Sequence, residues 1–167
     1  CALPIYGLAG LRIGALLTTN KEIFKRLQDA SLHAATIEGS NVLGQVAATA
    51  ALNDCEDWLQ SFIAHLQEMR DFSVTAINEM EGISCYTPQG CYLLFCNIQK
   101  TGYSAAALHQ LLLDKGRIAV VPGLPQWFGT AAEGHIRLSF ATSAEILAEA
   151  IERIKNTLIQ FPHIPKK

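Results

Sequence analysis

Gly134-His-Ile-Arg-Leu-Ser-Phe-Ala-Thr-Ser143 is the stretch around which the chain is organised. Ile136, Leu138 and Phe140 alternate with His135, Arg137 and Ser139, the period of two expected of a strand with one apolar face. Thr142-Ser-Ala-Glu145 then has the spacing of a capping box, a hydroxyl followed three residues later by a glutamate. Ile146, Leu147, Ala150, Ile151, Ile154 and Leu158 follow at helical spacing. Arg137 is therefore a lone guanidinium on the polar side of a short strand, anchored by the helix after it. Two readings stand: a surface arginine on an edge strand, or a planar fork placed to grip a carboxylate or phosphate.

Composition narrows the possibilities. The 167 residues are half apolar and 17% charged, which is ample material for a core. A mean hydropathy of +0.20 is high enough to suggest apolar surface that meets a partner or a further segment. The net charge of −2 argues against a nucleic-acid partner. No run reaches the roughly 18 apolar residues of a membrane span. The five cysteines, at 1, 55, 85, 91 and 96, form no CxxC pair and leave one over. Reduced thiols in a cytoplasmic protein are the expectation, rather than a zinc site or a disulfide framework.

Along the chain, Tyr6 to Ala15 reads as a glycine-dotted turn running into a strand over Leu11 to Leu17, with Arg12 just after Gly10. Thr19-Asn-Lys-Glu22 is a second capping box ahead of a helix carrying Ile23, Phe24, Leu27 and Ala30. A break at Glu38–Asn41 precedes an alanine-rich helix over Val42 to Leu52. Asn53-Asp54 is expected to cap a long helix running to about Met80. From Gly82 the rhythm changes. A turn at Thr87–Gly90 leads to a strand at Cys91–Ile98, and a helix at Ser104–Asp114 closes on Lys115 and a C-cap Gly116. A strand at Ile118–Val121 stops at Pro122-Gly123, a loop covers 124–133, and Lys166-Lys167 is a solvated tail. The expected organisation is one part over 1–53 and a compact α+β unit over 54–167, entered by the long helix.

Six motifs then occur in one order: Gly-Leu-Ala-Gly-Leu-Arg-Ile-Gly (7–14), Ser-Asn-Val-Leu-Gly-Gln-Val-Ala (40–47), Pro-Gln-Gly (88–90), Val-Val-Pro-Gly (120–123), Phe-Gly (128–129) and Ile-Arg-Leu-Ser-Phe-Ala-Thr-Ser (136–143). In this register the chain resembles the C-terminal part of a class I/II aminotransferase, of the fold-type-I pyridoxal-phosphate enzymes and nearest the aspartate aminotransferase group. The resemblance implies an α/β fold: residues 1–53 as the end of the large cofactor-binding domain, and 54–167 as the small domain. It implies pyridoxal 5'-phosphate as cofactor, an amino acid and a 2-oxo acid as substrates, and a homodimer when intact. Arg12 matches the family's phosphate-holding arginine, and Arg137 matches the arginine that grips the substrate carboxylate.

The family's Schiff-base lysine falls eight residues before the phosphate arginine, and 12 − 8 = 4, where this chain has Pro4. Proline has no side-chain amine, and Lys21 and Lys25 lie on the far side of Arg12. By the resemblance, no catalytic residue of the family remains and the chain by itself is expected to be inactive. Ala-Leu-Pro-Ile (2–5) matches a translated sequencing adapter, so residues 1–5 are expected to be non-native, with lysine at position 4 of the natural protein. The aspartate facing the pyridine nitrogen, the stacking aromatic, and the asparagine and tyrosine near the ring hydroxyl have no counterpart in these residues. Two rival readings share the fold: the effector domain of a pyridoxal-phosphate-binding transcription regulator, and a β-eliminating lyase. Among single features, His135 reads as a surface histidine before a general base. Trp127 and Phe128 read equally as pocket lining or loop packing, Cys91 and Cys96 as strand residues, and Tyr6 as a possible neighbour of the cofactor.

Overall fold

A computed structural model describes residues 3–31 and 40–162. Cys1 and Ala2, Glu38 and Gly39 of the expected break, and the Lys166-Lys167 tail lie outside the described residues. The chain divides into two units, Cys1–Phe62 and Ile63–Lys167, and the division falls inside the longest helix.

In the first unit, 3-10 turns at Leu3–Tyr6 and Ala9–Leu11 precede helices α1 (Lys21–Ser31) and α2 (Val42–Asp54), and α3 (Glu56–Asn78) begins there. The strand expected at 11–17 is absent: residues 12–18 lie outside helices and strands, with Leu16 and Leu17 more than four-fifths exposed. A strand exists only as part of a ladder, and the described sheet is built wholly from the second unit. The α1 cap is Asn20 rather than Thr19. Its Oδ1 accepts from the Glu22 and Ile23 amides at 2.9 and 3.1 Å, because a one-residue later start puts a better capping side chain at the helix entrance. Asn53 and Asp54 are the last residues of α2, not a cap, and Cys55 alone separates α2 from α3. No described residue of α1 is buried, and in α2 only Gly44 and Ala51 are, while Val42, Leu43, Val46 and Leu52 stand more than half exposed.

The second unit has the core. Strand β1 (Leu93–Asn97) leads through α4 (Ala105–Leu111) and a π-turn at Leu112–Gly116 to β2 (Val121–Pro122). A short helix α5 (Pro125–Phe128) follows, then β3 (His135–Ser139) and α6 (Ala144–Gln160). The sheet order is β1-β3-β2 and both pairings are antiparallel. Ile77 of α3, Leu94 of β1, Phe140, and Ile151 and Ile154 of α6 surround one apolar crevice, and Ile98, Leu108, Leu112 and Ile136 are wholly buried. Two imidazoles fasten this core: His65 donates to the Thr142 carbonyl and His109 to that of Val120, both at 2.8 Å.

Local details depart from the sequence expectations for identifiable reasons. The loop at 124–133 contains α5, started by Pro125 at a position where its missing N–H costs nothing, and a 3-10 turn at Thr130–Ala132. Ser143, not Thr142, caps α6, accepting from the Ile146 amide at 3.4 Å. Glu145 is held below the usual carboxylate range by its own backbone amide and by the Ser143 hydroxyl. The left-handed residue after the π-turn is Arg117 (φ 54°), not Gly116. Gly116 is required instead by the approach of α6, since a Cβ there would stand 2.8 Å from the Thr157 hydroxyl.

Gly123 is the tightest glycine in the unit. A Cβ at this position would fall 2.1 Å from the Ala132 carbonyl oxygen and 2.7 Å from that of His135, both backbone atoms that cannot rotate away. Gly123→Ala is expected to destabilise the unit by about 2–3 kcal/mol, the upper part of the overpacking range. The midpoint of urea unfolding checks it, and an unchanged midpoint contradicts the close approach. The contrast in burial between the units gives a second expectation. In native-state hydrogen exchange, amides of α1 and α2 should exchange roughly a hundredfold or more faster than those of β1 and β3. Equal protection across both units would show that the exposed apolar side chains of α1 and α2 are covered in solution.

Candidate functional site

Arg137 sits in the middle of β3, and β3 is the central strand rather than an edge. Its backbone lies between Phe95 of β1 on one side and Val121 of β2 on the other. Ile136 is fully buried on the core face, so the alternation sends His135 and Arg137, both half-buried, to the opposite face. Three aromatic rings share that face. The Arg137 guanidinium carbon lies 5.5 Å from the centroid of Phe128, within the range of a cation–π contact. Phe128 meets Phe95 at 5.7 Å with the rings tilted by 60°, and Phe95 stacks on His135 at 5.1 Å with the planes 9° apart.

The ion pairs among the described residues are Arg70 with Asp71 and Arg153 with Glu149. Arg137 belongs to neither. A guanidinium over an aromatic ring, half-buried and with no carboxylate of its own among the described residues, is arranged to receive an external anion in its fork. His135 is tied into the aromatic row, with Nδ1 3.2 Å from the Glu133 carbonyl. Trp127 is 60% exposed and stands outside the row, so of the two loop aromatics only Phe128 meets Arg137. Phe95 is the member that sequence reading left inside an apolar strand. Leu94 and Cys96 are buried to 2% and 0% exposure while Phe95 between them is 39% exposed, so the period of two was the signal that singles it out.

Arg12 lies in the first unit, directly after the Ala9–Leu11 turn, with φ 52° and ψ 41°. A left-handed conformation costs a non-glycine residue about 1–2 kcal/mol, so its presence at an arginine calls for a compensating use. The turn is held by Asn41: Nδ2 donates to the Leu11 carbonyl at 2.8 Å while Oδ1 accepts from the Gly44 amide at 2.7 Å and caps α2. One side chain thereby joins the arginine turn to a helix N-terminus. The Arg12 side chain is exposed and makes no ion pair among the described residues. Tyr6 stacks on Trp58 at 6.3 Å, and Trp58 on Phe62 at 5.0 Å.

The family model for aminotransferase class I and II matches residues 5–154. The chain belongs to the class I and II aminotransferase family. Aspartate aminotransferase of Pyrococcus horikoshii is 33% identical over 155 residues, covering 92% of this chain and 38% of that protein. The alanine aminotransferase structure from Pyrococcus furiosus superimposes with a TM-score of 0.79 at 28% identity, over 95% of this chain and 41% of that one. Cystalysin from Treponema denticola, whose structure contains pyridoxal 5'-phosphate, shares the fold at a TM-score of 0.81 and 19% identity, over 95% of this chain and 40% of that one. The fold is the C-terminal part of the fold-type-I pyridoxal-phosphate transferase fold, and the chain spans about two-fifths of the length of these aminotransferases.

Two features of the chain bear on the family's cofactor. An exposed arginine with no acidic partner among the described residues, on a turn with Gly7, Gly10 and Gly14 around it, suits a phosphate. The resemblance sets the family's Schiff-base lysine at position 4, where this chain has a proline, which offers no amine. On mixing with pyridoxal phosphate, this chain should give no borohydride-trappable adduct concentrated on one lysine, as peptide mapping would read. A stoichiometric adduct at a single lysine contradicts the assignment of position 4.

Proposed function

We propose that the intact protein is a pyridoxal-phosphate-dependent aminotransferase that moves an amino group between an amino acid and a 2-oxo acid. In this reading residues 1–53 belong to the large cofactor-binding domain and 54–167 form the small domain. The intact protein works as a cytoplasmic homodimer, and the chain with proline at position 4 is inactive. The observation that carries the proposal is Arg137 on the central strand, its guanidinium 5.5 Å over the Phe128 ring and free of any carboxylate among the described residues. The cofactor, when bound, supplies the electron sink that amino-group transfer needs.

The roles of this chain's own residues follow from their chemistry. Arg137 takes the substrate α-carboxylate in its two-pronged fork and so fixes the direction from which the α-carbon is presented. Phe128 supports the guanidinium face and removes water from one side of it, which strengthens the charge-assisted contact. Arg12 holds the phosphate, its backbone already committed to a left-handed turn that Asn41 secures.

In an intact enzyme carrying lysine at position 4, Arg137→Ala should lower kcat/KM by roughly 30-fold to several-thousand-fold. That range corresponds to about 2–5 kcal/mol for removing one partner of a buried, hydrogen-bonded charge pair. Arg137→Lys should recover little, because a point charge does not reproduce the fork. Cofactor affinity should stay unchanged in both, whereas Arg12→Ala should weaken the cofactor first. If Arg137→Ala keeps kcat/KM within about threefold of the parent, under 1 kcal/mol, the carboxylate role is wrong.

A further inference from the structure

Two of the cysteines that sequence reading left as unremarkable face each other across a pair of chain segments. Ser84 bridges Asn97 of β1 in antiparallel register, with the Ser84 amide donating to the Asn97 carbonyl at 3.0 Å and the reverse bond at 2.7 Å. Antiparallel register places the following residue, Cys85, opposite the preceding one, Cys96. Because Ser84 and Asn97 exchange both bonds, Cys85 and Cys96 occupy the neighbouring non-hydrogen-bonded position, where side chains lie closest and Cα atoms are about 4.5 Å apart. That separation falls inside the roughly 4.4–6.8 Å that a disulfide spans.

The backbone confirms this assignment. At a non-hydrogen-bonded position the amide and carbonyl point away from the partner strand, and those of Cys85 are both taken by Asn78 at the end of α3. Oδ1 accepts from the Cys85 amide at 2.9 Å and Nδ2 donates to its carbonyl at 3.1 Å. Cys96 pairs on its other side with Ile136 of β3, so neither residue can turn away from the other.

Both are free thiols, Cys85 half-buried and Cys96 wholly buried. We propose that Cys85 and Cys96 form a redox site, in which a hydroperoxide converts the two thiols to an intramolecular disulfide with Cys85 attacking and Cys96 resolving. The two sulfurs divide the roles by environment. The hydrogen bond from Cys96 holds the Cys85 thiol below its ordinary range, while the same bond, burial and the Cys85 charge push Cys96 up. Cys85 is thus the more accessible and more acidic of the two thiols, and Cys96 keeps its proton until the second step.

In the first step the Cys85 sulfur attacks one oxygen of the peroxide. A sulfur–oxygen bond forms, the oxygen–oxygen bond breaks, and hydroxide, or alkoxide from an organic hydroperoxide, leaves and is protonated by the proton that the Cys85 thiol gave to solvent. In the second, the Cys96 sulfur displaces that oxygen, which departs as water with the Cys96 proton, and the sulfur–sulfur bond closes. Two thiols lose two electrons in total, and one hydroperoxide becomes two waters, or water and an alcohol. The product fastens the segment around Cys85 to β1 immediately beside Phe95. The site is independent of the aminotransferase reading.

The test is brief exposure of the folded chain to hydrogen peroxide, then alkylation, non-reducing chymotrypsin digestion and mass spectrometry. Cleavage after Tyr86 and Tyr92 separates Cys85, Cys91 and Cys96 into different peptides. The expected result is a Cys85–Cys96 cross-link that dithiothreitol reverses, with the number of free thiols falling by two. Cys96→Ala, or Cys96→Val if the smaller side chain unfolds the unit, should leave the Cys85 sulfenic acid unresolved. Dimedone should then label Cys85 roughly tenfold or more above the parent. Cys85→Ala should leave Cys96 a thiol under the same exposure. The proposal is overturned if Cys85 and Cys96 are both recovered alkylated while Cys91 oxidises, if the cross-link runs through Cys91, or if Cys96 oxidises as fast without Cys85.

Discussion

The pairing of β3 on both edges is the constraint on which the second unit depends. Residues 135–139 exchange hydrogen bonds with β1 along their whole length, and at 136–137 with β2 as well. A strand paired on both sides cannot slip by one residue without breaking two ladders and turning Ile136 out of the core and Arg137 into it. Placing a guanidinium at the position of a fully buried isoleucine would be far costlier than any gain from the new register. The register is therefore held by what the wrong face would have to bury, and the direction of Arg137 follows from it.

Around that strand the connections are short and each is tied down. Gly123 takes the His135 carbonyl at 2.8 Å and comes so close to the 132–135 backbone that nothing larger fits. Ile98 donates to the Gly134 carbonyl, and Gly134 itself has φ 76° against the side chain of Gln99. These contacts bring β1, the loop bearing Phe128, and β3 together, so that Phe128, Phe95 and His135 form a continuous aromatic row beside Arg137. The row supplies a fixed, weakly polar backing beside the guanidinium.

The first unit is held differently. Its described contacts are local caps and turns, the Asn41 bridge from Leu11 to α2, and the stacked row Tyr6–Trp58–Phe62. Alanine-rich α2 has high intrinsic helix propensity and needs little tertiary support to be helical. Its valines and leucines remain outside, which leaves local propensity and capping, not burial, as the source of its order.

The sequence by itself determined where the five longer helices among the described residues lie, that Arg137 stands on the polar side of a strand, that Arg12 follows a glycine turn, and to which family the six ordered motifs belong. These are properties of local periodicity, capping chemistry and spacing, which operate within a few residues. It misjudged the strand at 11–17, because strand formation is decided by a partner and not by the apolar run itself. It offered an edge position for Arg137 as one reading, because sheet order is set by long-range pairing. It placed three N-caps one residue early or in the wrong helix, since adjacent Thr, Asn, Ser and Asp compete for the same orphan amides. Only the tertiary structure decided that β3 is central, that Phe95 and Phe128 converge on Arg137, and that Cys85 lies across from Cys96. Each of these joins residues far apart in the chain, and their meeting is fixed by antiparallel register and the burial of a shared core, neither of which is written in any single stretch.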